Sequence, residues 1–348
     1  MSEATGQDEE LVRLEGIIAE NRAKLADAPG GALPAYADAL MGLAGKLAEL
    51  SRHDEALAAA EEGVGQFRAL YNTDRELYTV ALASGLNNLS NRLSNLGRDD
   101  DARAAGDEAL ELAASAIESN PDQARFVLVS TLMNQSGRSW RAGQSLRAIE
   151  EMGTAVDVFR EGGEPLFSFL GVMVDALHRN AMALSEAARW EEAVMVRRMT
   201  GQLFPKDRVP APVIHLLALT LQQAAFAASR DGRPGESLPL AEEAVELARG
   251  LAEAAPDQYR LFLAQSLANL AGRQHEAHAD SEALEAALEA VNTFQDVAKV
   301  DATSALMPLA GTLETFASIL TSLGHDQQAR NVLAQREQLM SVVKPVEE

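Results

Sequence analysis

Residues Leu86–Arg98 read LNNLSNRLSNLGR. Leu86, Leu89, Leu93 and Leu96 recur at helical spacing, and a small residue, Ser90, lies between them. Asn and Arg fill the remaining faces. Gly97 predicts a helix stop, because glycine takes the left-handed backbone angles of a helix C-terminus without strain. A second helix is predicted from Asp99. The stretch is therefore half of a helix hairpin.

With Gly97 as phase marker, the hairpin recurs at Ser51, Gly97, Gly143, Ala188, Gly232, His278 and Gly324, at steps of 46, 46, 45, 44, 46 and 46 residues. Eleven residues before each marker stands leucine: Leu40, Leu86, Leu132, Leu177, Leu221, Leu267 and Leu313. Seven before it stands a small residue: Ala44, Ser90, Ser136, Ala181, Ala225, Ala271 and Ala317. Five after it stands another: Ala56, Ala102, Ala148, Ala193, Ser237, Ala283 and Ala329. Small residues let two helices cross closely, and leucine fills the space beside the crossing. Pro29, Pro121, Pro210 and Pro256 fall 22 residues before their markers, and Pro165 one position off. Asp74 and Asp301 hold the two remaining junctions. Proline suits the first turn of a helix and aspartate its cap.

These rows divide the chain into an acidic segment and capping helix (1–29), a repeat array (30–342) and a tail (343–348). Within the first segment, 1–8 is expected to be disordered and Glu9–Ala26 to be the cap. The units run about 30–72, 73–119, 120–162, 163–205, 206–254, 255–298 and 299–342. Gln135, Ser136 and Ser139 make the third less apolar, Gly235 suggests an interruption in the fifth, and the sixth lacks a turn glycine. Residues 344–348 are expected to fray. A chain of 348 residues with 5% aromatics, rich in Ala and Leu, suits an array in which length adds units and not core radius.

The absence of cysteine excludes disulfides, thiol catalysis and zinc–thiolate sites and is compatible with a cytoplasmic setting. MSEATGQDEE has no apolar core and does not read as a secretory signal. No run of roughly 18 apolar residues suggests a membrane span. The net charge of −22 makes nucleic acid and anionic lipid poor partners; it serves solubility first, and a basic partner segment is the sharper alternative.

Leu at eleven before the marker, apolar at eight, small at seven, then small at five and twelve after it resembles the tetratricopeptide repeat. Asn88–Leu110, NLSNRLSNLGRDDDARAAGDEAL, is its clearest copy, and Pro256–Gly272, PDQYRLFLAQSLANLAG, resembles its opening half. The usual unit has 34 residues and this one about 46, so the chain is more similar to long-helix members such as the kinesin light chain type and bacterial arrays. The resemblance implies an all-α fold: an α-α superhelix, a right-handed solenoid of seven antiparallel hairpins plus the N-terminal cap. It also implies a concave groove lined by first helices that binds a protein or peptide segment. The family's groove positions give Asn87, Asn91, Asn95, Met133, Trp140, Arg141, His178, Met182, Gln222, Phe226 and Arg230. Amides can hold an extended backbone, Arg can pair with carboxylates, and aromatic residues anchor interfaces. Solvated faces, packing of Trp140 against the next unit, and self-association are the competing uses.

Chemistry has little support. His275, Glu276 and His278 read H-E-A-H, one residue short of a metal-binding helix spacing, with Asp280 nearby. His53, His178, His215 and His325 are isolated, and Arg197 with Arg198 is a small basic spot. Glu61–Glu62, Asp107–Glu108 and Glu242–Glu243 recur at one phase, which fits a solvated outer face better than carboxylate catalysis. No phosphate loop, nucleophile elbow or dinucleotide fingerprint occurs. The sequence thus predicts a non-enzymatic interaction scaffold without cofactor or metal. The alternative is a sensory module whose superhelix responds to a peptide or small molecule.

Overall fold

A computed structural model describes the backbone of residues 2–25 and 29–343. Among them are fifteen α-helices and two short 3-10 helices, and no strand. The helix α1 (Ser2–Leu25) precedes seven hairpins. These are α2 (Pro29–Glu49) with α3 (His53–Thr73), α4 (Arg75–Asn95) with α5 (Asp99–Ser115), and α6 (Pro121–Arg141) with α7 (Ser145–Gly162). Then come α8 (Leu170–Glu186) with α9 (Trp190–Gln202), and α10 (Ala211–Arg230) with α11 (Pro234–Ala254). Last are α12 (Pro256–Glu276) with α13 (Asp280–Ala298), and α14 (Ala302–Ser322) with α15 (Asp326–Val343). The chain forms two compact units, one through Met173 and one from Val174.

Helix α1 starts at Ser2, so the disorder expected over 1–8 is not what the backbone of 2–8 shows; Met1 lies outside the described residues. The expected fraying of 344–348 also lies outside them. In the fourth hairpin, Pro165 sits in a 3-10 helix (Glu164–Phe169) that precedes α8. Gly235 does not interrupt a turn: it lies in the first turn of α11 behind Pro234.

All seven phase markers adopt left-handed backbone angles. The glycines lie at φ 73° to 78°, and Ser51, Ala188 and His278 at 59°, 56° and 60°. Each marker closes a Schellman turn, in which the next amide reaches back five residues. Arg52 N donates to Leu47 O, Arg98 N to Leu93 O, and Ala279 N to Gln274 O, at 2.8–3.0 Å. The same next residue then caps the second helix through its carbonyl, which accepts from the small residue four positions on, as in Ala56 N to Arg52 O. Asp74 and Asp301 cap α4 and α14, accepting from Leu77 N at 3.0 Å and Ser304 N at 3.2 Å.

The two small rows face each other at the hairpin crossings. In the second hairpin Ser90 and Ala102 are fully buried, and in the third Ser136 and Ala148 are 0% and 1% exposed. Wherever one member is serine, its hydroxyl donates to the carbonyl of the other: Ser90 to Ala102, Ser136 to Ala148, and Ser237 to Ala225. The leucine row is buried beside them throughout.

Consecutive helices pack side by side from α1 to α7 in the first unit and from α9 to α15 in the second, and α2, α4 and α6 also touch in sequence, as do α10, α12 and α14. Second helices of successive hairpins do not approach to the same extent. First helices therefore form the tighter side of each stack. Helix α10, at mean hydropathy 1.4, is long and apolar enough to cross a membrane by length and composition, contrary to the sequence expectation. Its burial against α9, α11 and α12 explains that composition as a core helix of the array.

Candidate partner-binding walls

Each unit carries a wall of first helices, cross-linked by rungs that repeat with the hairpins. In the first unit, Asn134 Nδ2 on α6 donates to Asn87 Oδ1 on α4 at 3.1 Å, and Asn87 Nδ2 approaches Ser130 Oγ at 3.5 Å. One turn on, Arg138 Nη1 donates to Asn91 Oδ1 at 3.4 Å, and one turn further Arg141 Nη2 donates to Ser94 Oγ at 3.3 Å. In the second unit the same positions give Asn269 Nδ2 to Gln222 Oε1 at 2.8 Å and Gln222 Nε2 to Ser266 Oγ at 2.7 Å. The Arg273 guanidinium then lies 5.2 Å above the Phe226 ring, and Ser229 donates to Glu276.

Several expected groove residues are therefore rungs. Asn87 is only 9% exposed, and Asn91 and Gln222 are half-buried. Met133 and Trp140 are half-buried as well, whereas Asn95, Arg141 and Arg230 are exposed. Met182 and Phe226 are exposed large apolar side chains. His178 is engaged within its own hairpin, its Nδ1 lying 2.9 Å from Arg197 Nη1 on α9. The rungs also bring in residues that the groove pattern did not single out: Arg138, Asn134, Asn269 and Arg273. Their signal lay one position along from the expected rows, because neighbouring hairpins are staggered by about one residue.

Arg92, Arg138 and Arg141 share the first wall. Arg92 donates to the Ala44 carbonyl at 3.4 Å, so these three guanidinium groups meet a carbonyl, an amide and a hydroxyl, and no carboxylate. Arg138 is 6% exposed, with Nε and Nη2 unpartnered. Burial pulls its pKa down and the charges of Arg103 and Arg141 pull further, against the smaller opposing attraction of Glu151 and Asp99. Arginine remains charged under such pressure, so the wall holds fixed positive charge. Around Arg138 lies a polar cluster that accounts for the irregular third unit. Gln135 donates to Asp107 at 2.7 Å, Ser139 to Glu151 at 2.7 Å, and Arg103 pairs with Glu151 at 3.0 Å.

Charge is segregated by helix. Beyond Glu76, α4 contains no acid, nor does α6 beyond Asp122, and α10 contains none at all. The second helices α5, α11 and α13 carry acids along their whole length. The recurring acidic pairs are partly spent on the preceding elements, since Glu62, Glu108 and Glu243 pair with Arg22 on α1, Arg68 on α3 and Arg198 on α9. They are thus not simply a solvated face. His275 Nδ1 lies 2.5 Å from Asp280 and its Nε2 2.9 Å from Ser318 on α14, while His278 is the turn residue. Among the described residues no group of His, Cys, Asp and Glu converges as a metal set would.

Two adjoining cavities, of about 260 and 420 Å³, open on the second wall and share Gln222 and Asn269. Gln223, Phe226 and Arg273 line the first, and Gln265, Gly311 and Thr315 the second.

By its self-closing hairpins, its facing small rows and its first-helix walls, the chain is an all-α array of repeated helix hairpins throughout the described residues, the fold class that the tetratricopeptide resemblance implied. No family model matches it, and no curated protein does. Solved structures similar to it include a circular tandem repeat protein (16% identity over 95% of this chain and 89% of that one, TM-score 0.46). Others are BtubC from P. vanneervenii (15%, 85% and 95%, TM-score 0.31) and the C-terminal part of a TPR repeat-containing protein from Cytophaga hutchinsonii (14%, 86% and 99%, TM-score 0.35). At such identities and scores, what the walls do is decided by this chain's own residues.

Proposed function

We propose that this chain is a non-enzymatic scaffold of the long-unit kind that captures an extended, acidic segment of a partner protein on the wall of α4 and α6. The observation that carries this is the acid-free stretch of both helices, on which Arg92, Arg138 and Arg141 bond to no carboxylate and the exposed Arg141 is open to one. A partner carboxylate supplies the missing counter-charge, and the exposed Asn95 and Arg141 are the groups in reach. The basic partner favoured by net charge is the poorer fit here, because the negative charge sits on the second helices.

The test is fluorescence anisotropy with labelled nine-residue peptides that are acidic, neutral or basic. The acidic peptide binds best, and its affinity falls as salt rises. Arg141→Gln weakens it several-fold, since an exposed ion pair contributes up to about 1 kcal/mol, and Arg141→Glu weakens it more. Tighter binding of the basic peptide would refute the reading.

The paired cavities on α10, α12 and α14 favour a second reading, in which a short neutral peptide occupies the second unit and the array responds to it. Amides, hydroxyls and a single arginine are the polar groups lining them, beside Phe226 and Phe294. A rise in Tm with neutral peptide, lost in Gln222→Ala, checks it.

A further inference from the structure

The wall of the first unit does not end at its arginines. Followed toward the N-terminal ends of α4 and α6, it opens into an apolar cavity of about 430 Å³ lined by Leu77, Val80, Phe126 and Pro165. Leu77 is 65% exposed and Phe126 48%, although Phe126 has Phe169 against it at 4.7 Å between ring centroids. The only charged group in the lining is Asp122, in the first turn of α6. Large apolar side chains left this open side by side mark a surface that a partner covers.

Cavity and arginines lie on one stripe. On α6 the residues Asp122, Phe126, Ser130, Met133, Gly137 and Arg141 follow one another at steps of three and four. On α4 the residues Leu77, Ala81, Ser84, Asn87, Asn91 and Asn95 do the same, and Ala81 and Ser84 themselves line the cavity. The amide rung Asn87–Asn134 stands midway. Gly137 adds no bulk there, and a β-carbon built on it meets nothing within 4 Å. The stripe thus changes character along its length, from apolar with a negative charge, through amides, to positive.

We propose that this stripe reads a bipolar segment: an apolar side chain with a neighbouring cation at one end, and a carboxylate at the other. The site rests on the scaffold reading above and deepens it by adding a second anchor and a spacing. The cation answers Asp122, the apolar side chain fills the cavity, and the carboxylate answers Arg141. From Phe126 to Arg141 is fifteen helical residues, about 22 Å at roughly 1.5 Å each. An extended strand advances roughly 3.3 Å per residue, so the two anchors are about seven residues apart in the partner. The cavity belongs to the opening turns that lengthen these first helices.

Synthetic peptides test this in the full-length protein by anisotropy. One series carries Phe-Lys and Asp separated by two, four, six or eight Gly/Ser residues, made in both chain directions; a control peptide carries Asp alone. The separation that places the anchors about seven residues apart binds at least tenfold more tightly than the shortest. Leu77→Ser and Phe126→Ala each remove most of that gain and leave the Asp-only peptide unchanged. Leu77→Ser guards against a folding defect at the Phe126–Phe169 contact, and circular dichroism checks both. If acidic peptides bind but spacing and both substitutions make no difference, the bipolar site is wrong and the scaffold reading survives. If no acidic peptide binds and Arg141→Gln changes nothing, the scaffold reading itself fails.

Discussion

The Nη2 atom of Arg138 stands 3.3 Å from where a β-carbon on Gly106 would sit, and Gln135 Nε2 stands 2.7 Å from the same point. A buried guanidinium on α6 is thus accommodated by a missing side chain on α5. Gly106→Ala forces Gln135 from its bond to Asp107, a change that outweighs the roughly 1 kcal/mol of helix propensity gained. Gly137→Ala meets nothing and keeps that gain. Urea titration should place the two variants on opposite sides of wild type, with Gly106→Ala about 1 kcal/mol less stable.

Three of the seven turns are closed by a residue with a side chain held at positive φ, at Ser51, Ala188 and His278. That conformation costs about 1 kcal/mol or more for a residue other than glycine. Glycine at each of the three should raise stability by about 0.5–1 kcal/mol. The sites lie in different hairpins, so the gains should add. Gly97→Ala should lose a comparable amount. A triple glycine variant that melts no higher than wild type would contradict the turn geometry.

Ser90 separates size from polarity at a crossing. Its hydroxyl bonds to the Ala102 carbonyl, but five of the seven hairpins place alanine at its row. Ser90→Ala should cost under about 1 kcal/mol. Ser90→Leu must push α4 from α5 and should cost about 1–3 kcal/mol or more by overpacking. Thermal melts of the pair distinguish a need for space from a need for a hydrogen bond.

His215 packs 4.3 Å from the Phe262 ring and 5.5 Å from Tyr259, with a buried, unpartnered Nδ1. Burial lowers its pKa below the ordinary 6.5. The unfolded chain therefore takes up a proton at higher pH than the folded one. The stability that His215 permits is complete above pH 6.5 and is lost as pH falls through its folded value. His215→Phe should show a shallower loss of Tm than wild type between pH 7 and pH 5.

Much of the fold is legible in the chain. Leucine and small residues recur at fixed distances from a turn because helix crossings impose both, and all seven turns adopt the angles that their phase demands. The site is less so. Asn87 and Gln222 stand in the expected groove rows, yet each is tied to the next hairpin, and the stagger that brings Asn134 and Asn269 against them is a property of stacking. Buried Arg138 is invisible without Gly106 across from it. The charge pattern was open to inspection but disappears in a net value, since the acids of α5, α11 and α13 outweigh the acid-free lengths of α4, α6 and α10.

That separation gives each unit an electrical direction. Its negative pole lies along the second helices, and a permanent dipole points from them toward the first. The acidic segment proposed above would be repelled along the second helices and steered toward the wall before any contact forms, and its association rate should fall as the ionic atmosphere shortens the field. Facing a cationic bead or electrode, each unit should turn its second helices toward the surface and its wall of first helices away from it.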